Sequence, residues 1–93
     1  MERAEDKDIQ KAAAILKKMG ARKVFLFGSR AKGKARPGSD LDLAISGLKP
    51  ELFFKAVAEL MFSLDHEVHL IDLDSKSDFT DYLKRKEELV SVE

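Results

Sequence analysis

The chain of 93 residues, 44% of them apolar, is long enough to close one hydrophobic core and too short for two, so a single compact domain over 1–93 is expected. Its 17 basic and 17 acidic residues cancel, which argues against a protein whose main task is coating nucleic acid. The absence of cysteine excludes disulfides, cysteine-based zinc sites and a cysteine nucleophile; the charged start MERAEDKDIQ lacks a signal-peptide core, and no apolar run reaches membrane-spanning length, so the expected compartment is the cytoplasm with no membrane partner.

Residues 5 to 19 set Ile9, Ala12, Ala13, Leu16 and Met19 at helical spacing, with Gly20 as a C-terminal stop. The period then changes. Lys23 to Phe27 is a short β-branched and aromatic run closed by Gly28, which predicts a buried strand. Ser29 to Lys34 has the composition of a short helix, and Ala35 to Ser39, with Pro37 and Gly38, that of a turn. From Asp40 to Ile45 polar and apolar residues alternate, so Leu41, Leu43 and Ile45 share one face of a second strand and Asp40, Asp42 and Ala44 the other.

Pro50 suits the first turn of a helix whose Leu52, Phe53, Ala56, Val57, Leu60, Met61 and Leu64 form a broad apolar stripe, assigned to the core. Val68 to Leu73 predicts a third strand, and Asp78 to about Leu89 a closing helix with Phe79, Tyr82 and Leu83 inward and KRKEE outward. The expected fold class is α/β (α+β): a small mixed sheet flanked by helices in the order α-β-α-β-α-β-α. In it the Gly28-Ser29 junction passes from a strand into a helix N-terminus, where unpaired N–H groups and the macrodipole favour phosphate.

Three features of 28–42 carry chemistry. Asp40 and Asp42, on one strand face roughly 7 Å apart, repel each other unless a hard cation lies between them, and Mg2+ shares its coordination between carboxylates and substrate phosphates. Strand-face aspartates are as readily just solvated, but two in one short strand run against the low strand propensity of Asp. Gly28 lets backbone approach a phosphate and Ser29 can donate to it, although a Gly-Ser pair alone is ordinary turn punctuation. Of the basic residues Arg30, Lys32, Lys34 and Arg36, the outer ones read as a solvated face, while Arg30 is placed to meet a phosphate bidentately.

Together, Gly-Ser, ten intervening residues and Asp-x-Asp on a strand decide between these alternatives. The run GSRAKGKARPGSDLDLAI closely resembles the GSRARG…SDLDL signature of the minimal nucleotidyltransferases, the smallest members of the DNA polymerase beta-like nucleotidyltransferase superfamily. The resemblance covers nearly the whole chain. It implies the nucleotidyltransferase fold, a nucleoside triphosphate, with ATP expected, held by Gly28, Ser29, Arg30 and Ser39, and two Mg2+ ions held by Asp40 and Asp42. The implied reaction transfers a nucleoside monophosphate to an acceptor hydroxyl and releases pyrophosphate. With no second domain to bind an acceptor, a partner or a homodimer is expected to hold it. Small members of the family pair with helical HEPN-type toxins, the transferase acting as antitoxin by adding AMP to the toxin.

One position departs from the family pattern, which has a third carboxylate on the neighbouring strand in a VDLVDL-like run. Here that run is Val68-His69-Leu70-Ile71-Asp72-Leu73, with His69 at the carboxylate position and Asp72, by parity, on the other face. Three alternatives stay open: His69 serves as base or ligand, favouring Mn2+ or zinc over Mg2+; Glu67 reaches across; or the third ligand is lost, leaving a catalytically impaired nucleotide-binding antitoxin or partner-binding module. Taken without the family, His69 reads as a packed strand histidine. His66 and His69 fall on opposite strand faces, which counts against a metal pair. Nucleic-acid binding through Arg30 to Arg36 is disfavoured by the lack of interleaved aromatics.

Overall fold

A computed structural model of the protein describes residues 4–28, 41–64, 67–75, 77–86 and 89–92. The predicted short helix within 29–34, the turn at 35–39, Asp40 and His66 lie outside the described residues.

Helix α1 (Ala4–Met19) ends where the sequence stops it. Gly20 adopts φ +116, and the Gly20 and Ala21 N–H groups donate to the Lys17 and Leu16 carbonyls, both at 3.0 Å, the paired bonds of a Schellman cap. Strand β1 (Lys23–Leu26) pairs antiparallel with β2 (Leu41–Ser46), from Lys23 opposite Ser46 to Leu26 opposite Leu43. A 3-10 turn (Pro50–Leu52), opened by the expected proline, leads into α2 (Phe53–Ser63). That crossover returns the chain to β3 (Val68–Asp72), parallel to β2. Helix α3 (Asp78–Lys86) follows, and a two-residue strand β4 (Val90–Ser91) pairs antiparallel with the far edge of β1. The sheet order is β3-β2-β1-β4, a mixed sheet with three α-helices among the described residues.

Central position explains the apolar character of β2. Leu41, Leu43 and Ile45 join Val24, Leu26, Leu16, Ala56 and Leu60 in a core under α1 and α2, as the alternation predicts. Ala44 lies on the other face with Phe27, Leu73 and Leu83, under α3. Both faces of the sheet are therefore covered along most of its length, and the one polar interruption within β2, Asp42, falls toward its N-terminal end.

Three sequence expectations are corrected here. The closing helix is described over Asp78–Lys86 and does not include Leu89, after which Val90 and Ser91 add β4, a strand too short to show a period. Met61 is 67% exposed: α2 is apolar nearly all round, and the sheet selects Ala56 and Leu60 as its buried side. On α3, Leu83 and Thr80 are buried, while Phe79 and Tyr82 remain 47% and 41% exposed, because the helix rests on the sheet through one narrow row. Its first turn is fixed by Ser77, whose Oγ accepts the Thr80 N–H at 3.1 Å, while Thr80 Oγ1 accepts the Ser77 N–H at 3.2 Å, a reciprocal capping arrangement.

Asp74 ties the end of β3 to the end of β2. Its carboxylate accepts the Gly47 N–H at 2.7 Å and the Ser46 hydroxyl at 3.0 Å. The Gly47 bond is the main reason that its pKa lies below the ordinary 3.8, aided by the Ser46 hydroxyl and the charges of Lys84 and Arg22 and opposed by partial desolvation. A carboxyl whose folded-state pKa is depressed stabilises the fold above its unfolded pKa, and the benefit disappears as pH falls through the folded value. Asp74→Ala should therefore melt below wild type at neutral pH, by a small margin because the site is open to solvent. That gap should close as pH drops below about 3.8; a gap independent of pH in thermal melts would show that the charge contributes nothing.

Candidate functional site

Asp42 stands where the polar end of β2 meets both neighbouring strands. On the β1 side, the Phe27 N–H donates to the Asp42 carbonyl at 3.0 Å, so the pairing continues one residue past β1. On the β3 side, Asp42 is the register partner of His69. Adjacent strands lie about 4.8 Å apart, and register partners on parallel strands project to the same face. His69, the residue at the third-carboxylate position, is thus the direct lateral neighbour of Asp42.

Gly28 completes this corner. It has φ +72, and a Cβ built on it would clash with Asp42 Oδ2 and lie 3.2 Å from Cγ. The carboxylate therefore rests against backbone that only glycine leaves bare. Sequence reasoning gave Gly28 to phosphate and Asp42 to metal as separate tasks; their contact was missed, although the antiparallel register of β1 and β2, once known, brings them together.

The other sequence candidates sort as follows. Ser29, Arg30, Ser39 and Asp40 lie outside the described residues. Glu67 is exposed, and its carbonyl accepts the Leu41 N–H at 2.8 Å, one step before the Asp42–His69 pair. Asp72 pairs in register with Ile45, and its carboxylate accepts the Asp74 N–H at 2.9 Å, a local turn bond remote from His69. Among the described residues, no three His, Cys, Asp or Glu side chains converge as a metal site would require.

Behind Asp42 the same sheet face turns apolar. Phe27 meets Phe79 of α3 edge to face, with centroids 6.0 Å apart, and Ala44 is fully buried. One carboxylate and one imidazole thus sit side by side toward one end of a sheet face whose apolar part packs against α3 through Leu83 and Phe79. Such a corner can bind a hard cation through the carboxylate and move a proton through the imidazole.

Against this geometry the comparisons with known proteins become informative. A family model described as polymerase beta, nucleotidyltransferase matches residues 10–92. The chain belongs to this family. Its fold recurs in a toxin–antitoxin structure determined with AMP-PNP, at 24% identity and a TM-score of 0.71, covering 89% of this chain and 70% of that one. A protein assigned as a minimal nucleotidyltransferase aligns over 99% of this chain and 96% of its own, at 20% identity and a TM-score of 0.70. In Shewanella oneidensis, a complex of a tri-AMPylated HEPN toxin with its MNT antitoxin aligns at 25% identity over 77% of this chain and 58% of that one, with a TM-score of 0.58. No curated protein sequence matches the chain. The mixed four-stranded sheet, with three α-helices among the described residues, is thus the nucleotidyltransferase fold, as the motif resemblance implied. None of the described helices is long and apolar enough to cross a membrane.

Proposed function

We propose that the protein is a metal-dependent nucleotidyltransferase that moves AMP from ATP onto a hydroxyl of a partner protein, the partner being a HEPN-type toxin. The observation that carries this is the corner formed by Gly28, Asp42 and His69 in a chain of the polymerase beta nucleotidyltransferase family. The likeness to toxin–antitoxin structures, one with AMP-PNP and one with an AMPylated toxin, supports the nucleotide and the acceptor class.

The donor set suits a divalent cation. Asp42 offers a carboxylate beside a residue with no side chain, and the sequence puts Asp40 two residues before it. Asp40 and Asp42 would hold the cation, which when bound neutralises triphosphate charge. Gly28, Ser29, Arg30 and Ser39 orient the triphosphate through backbone N–H, hydroxyl and guanidinium donors. The acceptor hydroxyl oxygen attacks the α-phosphorus, the bond to the β-phosphate oxygen breaks, and pyrophosphate leaves. His69, beside Asp42, takes the hydroxyl proton. Its lateral position favours it over Glu67 for that role. An imidazole in this shell also tilts the cation preference from Mg2+ toward Mn2+.

The test is transfer of label from α-labelled ATP to a HEPN-type toxin, with Mg2+ and with Mn2+, for wild type, His69→Ala and His69→Asp. Loss of a general base costs roughly 10²- to 10⁴-fold, so His69→Ala should lose at least about a hundredfold. His69→Asp should retain transfer and shift its preference toward Mg2+. A second reading follows from the same histidine, since the family has a carboxylate there: an antitoxin that binds nucleotide or partner without catalysis. Inactive wild type with His69→Asp gaining transfer would establish that reading and overturn the first.

A further inference from the structure

Helix α2 carries a second surface, unrelated to the corner at Asp42. Phe54 and Phe62 are 82% and 91% exposed and, with Met61, form an apolar row along its outer side. Phe54, Ala58 and Phe62 follow one another at four-residue spacing, so they stack on one helix face, with small Ala58 exposed at the centre. No charged residue interrupts this row over two turns. Lys55 and Glu59 flank it on the side toward α1, where they line a groove of about 450 Å³ with Ile15 and Lys18. On the other flank Phe54 and Phe53 line a cavity of about 390 Å³ over Leu70 of the edge strand β3.

The row is symmetric about its own centre. We infer that it is the interface of a homodimer, in which α2 packs antiparallel against α2 of a second copy with the two-fold axis at Ala58. An antiparallel two-fold there sets Phe54 against the partner's Phe62, and Phe62 against the partner's Phe54. Ala58 meets its own counterpart, and its small side chain lets the helices approach closely. The flank obeys the same symmetry. Lys55 lies three residues before Ala58 and Glu59 one after it, so reversal sets Lys55 level with the partner's Met61 and about 3 Å along the axis from the partner's Glu59, within reach of its long side chain, and each lysine meets the partner's glutamate along one side of the seam. A parallel arrangement would instead set Lys55 against Lys55 and Glu59 against Glu59, like against like.

The area bounds the strength. A phenylalanine or methionine presents roughly 150–200 Å² when open, so the row exposes on the order of 400 Å² per copy, and two copies with their flanks approach the low end of specific interfaces at about 1,000 Å². A dimer with a dissociation constant on the order of micromolar is expected.

Sedimentation across a concentration series measures it. Wild type should pass from monomer to dimer in the micromolar range. Phe62→Glu buries two charges per dimer and should weaken association by roughly thirtyfold or more, with an unchanged melting curve because the side chain faces solvent in the monomer. Lys55→Glu should weaken it less, and Lys55→Glu with Glu59→Lys should restore it; restoration identifies the antiparallel pairing. A wild type monomeric throughout the series, or a Phe62→Glu protein that dimerises as wild type does, overturns the inference. So does a monomeric wild type whose row is needed only to bind a HEPN-type toxin.

Discussion

Asp42→Asn is expected to lower AMP transfer by about a thousandfold while the protein melts within a few degrees of wild type. Asparagine keeps the volume of the side chain, and the bond tying this position to β1 runs from the Phe27 N–H to the Asp42 backbone carbonyl, which the substitution leaves intact. Only the charge goes. Loss of a single group that stabilises transition-state charge costs roughly 10²- to 10³-fold. The upper end applies, because the neighbouring strand supplies a histidine where the family has another carboxylate, so fewer anions share the task. Groups that act as a unit are not additive, and adding Asp40→Asn should cost little more than Asp42→Asn alone. Calorimetric titration of ATP with Mg2+ and with Mn2+ gives the matching readout, metal-dependent binding in wild type that disappears in the variant. Transfer within about tenfold of wild type would remove Asp42 from the mechanism.

How far the sequence carries toward this site depends on the range of the contact concerned. The end of α1 is legible because its cause is local: a glycine that adopts φ +116, whose N–H donates one cap bond while that of Ala21 donates the other, sits next to the residues it stops. The faces of β2 are legible because strand parity needs only consecutive residues, and Leu41, Leu43 and Ile45 pack together as that parity requires. The pairing of Asp42 with His69 joins residues from different strands and depends on a parallel register reached through α2, so residue types alone suggest the partnership without establishing adjacency. The family pattern supplied that suggestion. Met61 was assigned to the core because α2 offers apolar residues on both sides, and only the sheet beneath chooses between the Ala56–Leu60 side and the Phe54–Phe62 side. Strand β4 escaped for a different reason. Val90 and Ser91 are too few to show a period, and their partners Leu26 and Phe25 lie more than sixty positions earlier.

The contact between Gly28 and Asp42 leads to the sharpest separation of fold from function. Gly28→Ala and Gly20→Ala both ask alanine to adopt positive φ, +72 and +116, a conformation that costs an L-residue roughly 1–2 kcal/mol. Each should therefore lower the melting temperature by several degrees, at roughly 4–8 °C per kcal/mol for a domain of this size. Their surroundings differ. A Cβ at Gly20 meets nothing within 4 Å, whereas a Cβ at Gly28 clashes with Asp42 Oδ2 and drives the carboxylate aside. Stability should thus fall comparably in both variants, while metal-dependent ATP binding and AMP transfer survive in Gly20→Ala and drop by about a hundredfold or more in Gly28→Ala, where misplacement of a reacting group by about 1 Å is enough. The double variant Gly28→Ala/Asp42→Asn makes the cause testable. If the alanine acts by displacing the carboxylate, it should cost almost no further activity once that carboxylate is already neutral, since the two changes damage the same element. Full additivity of the two losses would mean that Gly28 serves the triphosphate by itself and that its closeness to Asp42 is incidental.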